Sequence, residues 1–137
     1  MINSDKAPEP LGVYPHARKA GNLLFLSGIG PRKRGSAEIP GIVLDENGKV
    51  LSYDIEQQCR SVFANVRSVL KASGTSWESL VDVTVFLTNL KTDFQIYNRV
   101  YEEYFKMIQP CRTTIGVDCL PGPIAVELKC IAILSER

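Results

Sequence analysis

Every second residue from Ile124 to Leu134 is apolar: Ile124, Val126, Leu128, Cys130, Ala132 and Leu134. A period of two means a strand with that row on one face. The opposite row carries Glu127 and Lys129, but also Ile131 and Ile133. A sheet built around this strand therefore has two faces that both, at least in part, avoid water. A single layer of helices covers only one of them. The other needs a cover from elsewhere, and a further copy of the chain is the simplest one. The pattern predicts an oligomer.

Local signals supply the other elements. Residues 13–19 and 23–29 predict a hairpin around Ala20-Gly21-Asn22. Residues 1–11 read as an extended arm, since Pro8 and Pro10 block regular structure. Residues 32–53 read as a long loop with a turn at Asp45-Glu46-Asn47-Gly48. A loop of that length serves as a connection or as a site wall. Asp54 and Gln57 have N-cap spacing, and Cys59, Val62, Phe63, Val66, Val69 and Leu70 then form one helical stripe. Gly74 is the expected stop. Residues 80–90 predict a strand with Val81, Val83, Val85 and Leu87 on one face. Thr92 and Gln95 repeat the capping spacing ahead of an aromatic stripe of Phe94, Tyr97, Tyr101, Tyr104 and Phe105. Residues 112–117 predict a short strand before the Leu120-Pro121-Gly122-Pro123 turn. The order is β-β-α-β-α-β-β, an α+β chain with both helices on one face of a mixed sheet.

A chain of 137 residues with 45% hydrophobic content suits one domain, 1–137, with its own core. Sixteen Lys and Arg balance fifteen Asp and Glu. That balance argues against a nucleic-acid surface, and Arg32-Lys33-Arg34 is too short a cluster to change it. No apolar run resembles a signal peptide or a membrane span, so the expectation is cytoplasmic, with no membrane partner. Cys59, Cys111, Cys119 and Cys130 form no C-x-x-C pair and read as reduced, buried thiols. His16 is the single histidine and has no cysteines at zinc-site spacing. Phosphate-loop and dinucleotide glycine motifs are absent too. No metal and no cofactor is expected. A Ser-His-Asp triad would have to use His16, with no G-x-S-x-G elbow.

Two ionisable residues are left as candidates. Arg112 opens a short strand behind Pro110-Cys111. Its planar fork suits a carboxylate ligand, or equally an ion pair with Asp or Glu. Glu127 interrupts an apolar strand and can order a water as general base. The alternative is a salt bridge to Lys129, Arg112 or a cation of another copy. Tyr14 can donate a hydrogen bond or simply pack.

Several motifs together resemble one family. Gly12-x-Tyr14 with Ala20-Gly21-Asn22-Leu23-Leu24-Phe25-Leu26-Ser27-Gly28 is similar to the opening of the RidA/YjgF family. Asp54-Ile55-Glu56-x-Gln58-x-Arg60 and Asn98-x-x-Tyr101-x-x-Tyr104-Phe105 resemble its two helices. Pro110-x-Arg112-Thr113-Thr114-x-Gly116-Val117, then Leu120-Pro121 and Val126-Glu127-Leu128-x-x-Ile131-Ala132, are the most specific segments. The resemblance spans nearly the whole chain. It implies a chorismate-mutase-like α+β fold and a homotrimeric barrel with clefts between subunits. It also implies cofactor-free hydrolysis of imino or enamino acids to 2-oxo acids and ammonia. Arg112 would hold the substrate carboxylate and Glu127 would position water. Tyr14, Ser27, Gly28, Asn98 and Cys111 would line the cleft.

The departures from the family pattern are Val13, Pro15-His16, the insert at 32–51 and Lys129. Pro15-His16-x-Arg18-x-Ala20-Gly21 looks like the 2-aminomuconate deaminase branch. A dicarboxylate substrate needs a second cation, for which His16, Arg18 and Lys129 are the candidates. The rival expectations are a broad 2-iminobutanoate/2-iminopropanoate deaminase and a non-catalytic ligand-binding or chaperone-like trimer.

Overall fold

A computed structural model describes residues 1–36 and 38–135. β1 (Ala17–Ala20) and β2 (Leu23–Leu26) form the predicted hairpin, with the expected turn but shorter at its open end than the apolar runs suggested. β3 (Ile42–Leu44) and β4 (Val50–Tyr53) form a second hairpin inside the segment read as loop. Its turn is built by Asp45, whose carboxylate accepts the N–H groups of Asn47 and Lys49 at 2.8 Å each. Those are the turn residues seen in the sequence; the short runs flanking them were the missed strand signal.

α1 (Ile55–Ala72) starts as expected, with the Asp54 side chain accepting from the N–H of Gln57. It ends at Gly74, whose φ of 77° is the left-handed stop. β5 (Leu80–Leu87) differs from expectation at Val81. A bulge between Leu80 and Asp82 puts Leu80 in the core and leaves Val81 exposed. α2 (Leu90–Phe105) begins two residues ahead of Thr92, with Asn89 as its N-cap. Its buried face centres on Tyr97, Val100, Tyr101 and Phe105; Phe94 has rotated toward solvent. β6 (Cys111–Gly116) and β7 (Val126–Ile133) complete the chain.

The main sheet runs β1-β2-β7-β5-β6 and is antiparallel except for β5 with β6. β7 is the predicted strand, and Val126, Leu128, Cys130 and Ala132 are buried as the alternation requires. Both helices pack on this face. Phe25, Ile115 and Ile133 remain exposed on the other, beside Glu127 and Lys129. Two of the four thiols, Cys59 and Cys130, are buried as expected; Cys111 and Cys119 are exposed. Among the described residues no helix is long and apolar enough to cross a membrane.

Candidate active site

Glu127 lies on the bare face of the central strand. Register places it opposite Phe86, which is opposite Ile115. The carboxylate is half-buried and has no hydrogen-bond donor or cation beside it among the described residues. Burial alone pushes its pKa above the ordinary glutamate value. A half-buried carboxylate without a partner costs stability, and such groups concentrate at functional sites. The salt bridge to Lys129 expected as an alternative is not formed: the Lys129 amine donates instead to the Leu26 carbonyl at 3.1 Å.

Glu127 floors a cavity of about 470 Å³. Its walls come from four places: the arm at 7–12 with Tyr14, the β2 exit at 27–32, Ile39, and the 121–124 turn. Gly28 lies against Glu127 so closely that a side chain there would collide with the carboxylate. Two helix side chains fix the β2 exit. Asn65 donates to the carbonyls of Gly30 and Arg32, and Ser61 donates to that of Pro31. Tyr14 lines the cavity, and its hydroxyl accepts the Leu11 N–H at 3.2 Å. Ser27 lines it too, but its hydroxyl donates to the Pro15 carbonyl at 2.7 Å and so holds the Tyr14 segment in place.

Arg112 is elsewhere. In the parallel pairing of β5 with β6 it lies opposite Val83, a core residue, so it points to the helix-covered face. Its guanidinium donates to the Asn98 Oδ1 at 2.8 Å and lies over the rings of Tyr101 and Tyr97, at 4.7 and 5.5 Å from their centroids. It has no carboxylate partner among the described residues, which removes the ion-pair alternative within the chain. Asn98, expected in the cleft, is the residue that orients Arg112. Among the described residues, the buried hydroxyls of Tyr97, Tyr101 and Thr114 have no hydrogen-bond partner within reach.

One chain therefore separates the two candidates. They stand on opposite faces, two strands and about three residues apart, roughly 14 Å between Cα positions by sheet geometry. Cys111 is on the Glu127 face but at the far end of the edge strand, opposite Asp82.

The second-cation candidates also divide. His16 is buried, and both ring nitrogens are taken by backbone: Nδ1 accepts the Ser4 N–H at 2.8 Å and Nε2 donates to the Pro8 carbonyl at 2.6 Å. Those partners require the neutral ring, so His16 is not a cation for substrate. Arg18 shares the bare face but lies opposite Phe25, two strands and four residues from Glu127, roughly 16 Å by the same geometry. Lys129 is two residues along the same face of β7, about 7 Å away. Arg32 and Arg34, expected in a solvated loop, clamp the arm instead. Arg34 donates to the carbonyls of Ser4 and Ala7, and both arginines face Glu9.

The arm and the 121–124 turn were not among the expected site residues, whereas Ile39 belongs to the 32–53 segment, for which a site wall was one of the two readings. Their signal was faint: apolar side chains in segments with no regular structure to bury them.

Residues 4–134 match the family model described as Endoribonuclease L-PSP. The chain belongs to this family, the RidA/YjgF family. Reactive Intermediate Deaminase A, chloroplastic, of Arabidopsis thaliana is 38% identical over 134 residues. That alignment takes in 98% of this chain and 65% of the plant protein, so the chain spans just under two thirds of that relative. The 2-iminobutanoate/2-iminopropanoate deaminase of Dermatophagoides farinae is 33% identical, with 98% and 96% of the two chains aligned. The crystal structure of E. coli TdcF with bound serine superposes with a TM-score of 0.84 at 30% identity, covering 98% of each chain. This RidA/YjgF member thus has the α+β fold its sequence resembled, with two helices on one face of a mixed sheet.

Proposed function

We propose that this protein is a hydrolytic deaminase of 2-imino acids and their enamine tautomers, working as a homotrimer with its sites between copies. The observation that carries this reading is the Glu127 carboxylate, half-buried and unpaired at the floor of a largely apolar cavity. The printed names of the two deaminase relatives support the reaction class. The trimer rests on the bare apolar sheet face and on the separation of Arg112 from Glu127. Both residues reach one small substrate if Arg112 comes from the neighbouring copy.

The chemistry needs no resident cofactor. A protonated imine is already electrophilic at carbon. Glu127 accepts a proton from water as its oxygen attacks that carbon, giving a carbinolamine. Proton transfer to nitrogen then lets the C–N bond break, releasing ammonia and leaving the 2-oxo acid. Arg112 holds the substrate carboxylate through a two-pronged contact and fixes the carbon over the water.

A second reading narrows the substrate to 2-aminomuconate. Lys129 favours it, as the one candidate cation of the three that stands near Glu127 on the same face. Ammonia release from 2-aminomuconate and from 2-iminopropanoate, by wild type and Lys129→Gln, separates the two. A loss confined to the dicarboxylate supports the narrower reading.

The composite site is tested by coexpressing differently tagged R112A and E127A chains and isolating mixed oligomers. Each variant alone is expected to keep about a tenth of wild-type activity or less. In an isolated mixed trimer, one site of the three, roughly a third, is restored if each site takes Arg112 from one copy and Glu127 from its neighbour. No recovery would place the site within one copy and sink the proposal.

A further inference from the structure

His16 has no free nitrogen for substrate, yet it is the hub of the wall that encloses the cavity. We propose that His16 is a positioning residue for substrate binding: its neutral ring ties the N-terminal arm over Glu127 and so sets the shape of the cavity. The proposal rests on the deaminase reading for its kinetic side.

The geometry runs through three links. Within the arm, the Ser4 hydroxyl accepts the N–H groups of Lys6 and Ala7 at 3.1 Å each, folding residues 4–7 into a turn. The His16 ring then bridges that turn, accepting from Ser4 and donating to Pro8. Beyond Pro8 the chain runs along the cavity to Leu11, whose N–H is held by the Tyr14 hydroxyl. His16 itself is anchored to the sheet, because its carbonyl accepts the Ser27 N–H at 3.0 Å. The ring thus ties the cavity wall to the strand exit that carries Gly28. The main remaining anchors of the arm are Arg34, which donates to Ser4 and Ala7 carbonyls from outside, the ion pairs of Glu9, and the pairing of Ile2 with Ala17.

Glu127 and Arg112 sit on β7 and β6 and make no hydrogen bond with the arm. Loosening the arm should therefore weaken the hold on substrate and leave the chemical step nearly intact. That is the signature of lost uniform binding: KM rises and kcat holds.

The test compares His16→Ala, His16→Asn and His16→Gln with wild type, using ammonia release from 2-iminopropanoate and amide hydrogen exchange. Arg34→Ala is the second route to the same loosened arm, and it touches neither the cavity nor His16. In H16A and R34A, KM is expected to rise about tenfold with kcat within about twofold. The Ser4, Lys6 and Ala7 amides should lose protection while β5 and β7 keep theirs. Asn retains an acceptor near the Nδ1 position and Gln a donor near Nε2, so each should recover part of the KM. An unchanged KM in both H16A and R34A overturns the proposal, as does a fall in kcat with KM constant. A wild type that releases no ammonia strikes the deaminase reading instead, and the exchange protection at Ser4 then still decides whether His16 holds the arm.

Discussion

A Cβ added to Gly28 would lie 2.7 Å from Glu127 Oε2 and 3.0 Å from its Cδ. The bare backbone at Gly28 is what lets the carboxylate lie flat at the cavity floor. Gly28→Ala forces only the tip of a flexible side chain to move, so the fold should tolerate it. Activity should not, because the displaced oxygen is the one proposed to meet the water. Expected are a Tm within about 3 °C of wild type and a fall in kcat of roughly tenfold or more. Thermal melting and ammonia release on one preparation check both. An unchanged kcat would dissociate Glu127 from the chemistry.

Glu127 also predicts a trade between stability and activity. Its folded pKa is raised by burial, so the folded state disfavours the charged form. The stability linked to this group is present below the unfolded value, about 4.3, and lost as pH rises through the higher folded value. Glu127→Gln should therefore melt higher than wild type at pH 7, with the advantage vanishing as pH falls below the ordinary glutamate value. The same variant should release ammonia at least tenfold more slowly. A variant no more stable at pH 7 would show that a cation of another copy pairs with Glu127.

Arg112 is held by its planar fork, with Asn98 on one side and the Tyr101 ring below. Arg112→Ala should lose one to two decades in kcat/KM, the scale of one charge-assisted anchor. Arg112→Lys should recover little, since a point charge neither stacks nor binds in two places. Asn98→Ala should fall between wild type and Arg112→Ala. A fully active lysine variant would mean that charge alone is required.

The second hairpin is tied to α2 by one strong contact. Tyr53 donates to Asp93 Oδ2 at 2.6 Å and accepts from Asn89 at 2.8 Å. Asp93 is 5% exposed, and burial raises its pKa despite that donor. Tyr53→Phe should cost about 1–3 kcal/mol by stranding the carboxylate. The loss should be larger at pH 7 than at pH 4, because protonation removes the buried charge. Denaturant unfolding at both pH values measures it.

Much of the fold could be read locally. The period of two through β7, the Asp54 cap and Gly74 stop of α1, and the aromatic repeat of α2 each need only a few neighbouring residues. The bare face of the sheet was legible for the same reason, in Ile131 and Ile133. The bulge at Val81 was not, because it is defined by pairing with β7 and not by its own residues. The β3–β4 hairpin was legible and was missed: its turn residues were seen and the short strands beside them were not.

The candidate site divides along the same line. Glu127 stood out in the sequence because a charge in an apolar strand is conspicuous, and its side of the sheet follows from its alternation with Val126 and Leu128. Arg112 had no such marker. Around it β6 reads Cys111, Arg112, Thr113, Thr114, with polar groups in both rows, so alternation assigns neither row to the core. Only the parallel register with β5 places it beneath α2, on the face away from Glu127. His16 shows the same limit more sharply. Its residue type suggested a cation, but its role is set by Ser4 and Pro8, brought to the ring by the fold of the arm. Periodicity is a property of neighbours in the chain, and the sequence by itself determined what depends on it. What a ring nitrogen or a guanidinium touches depends on register and on contacts between distant segments, and the tertiary structure alone decided that.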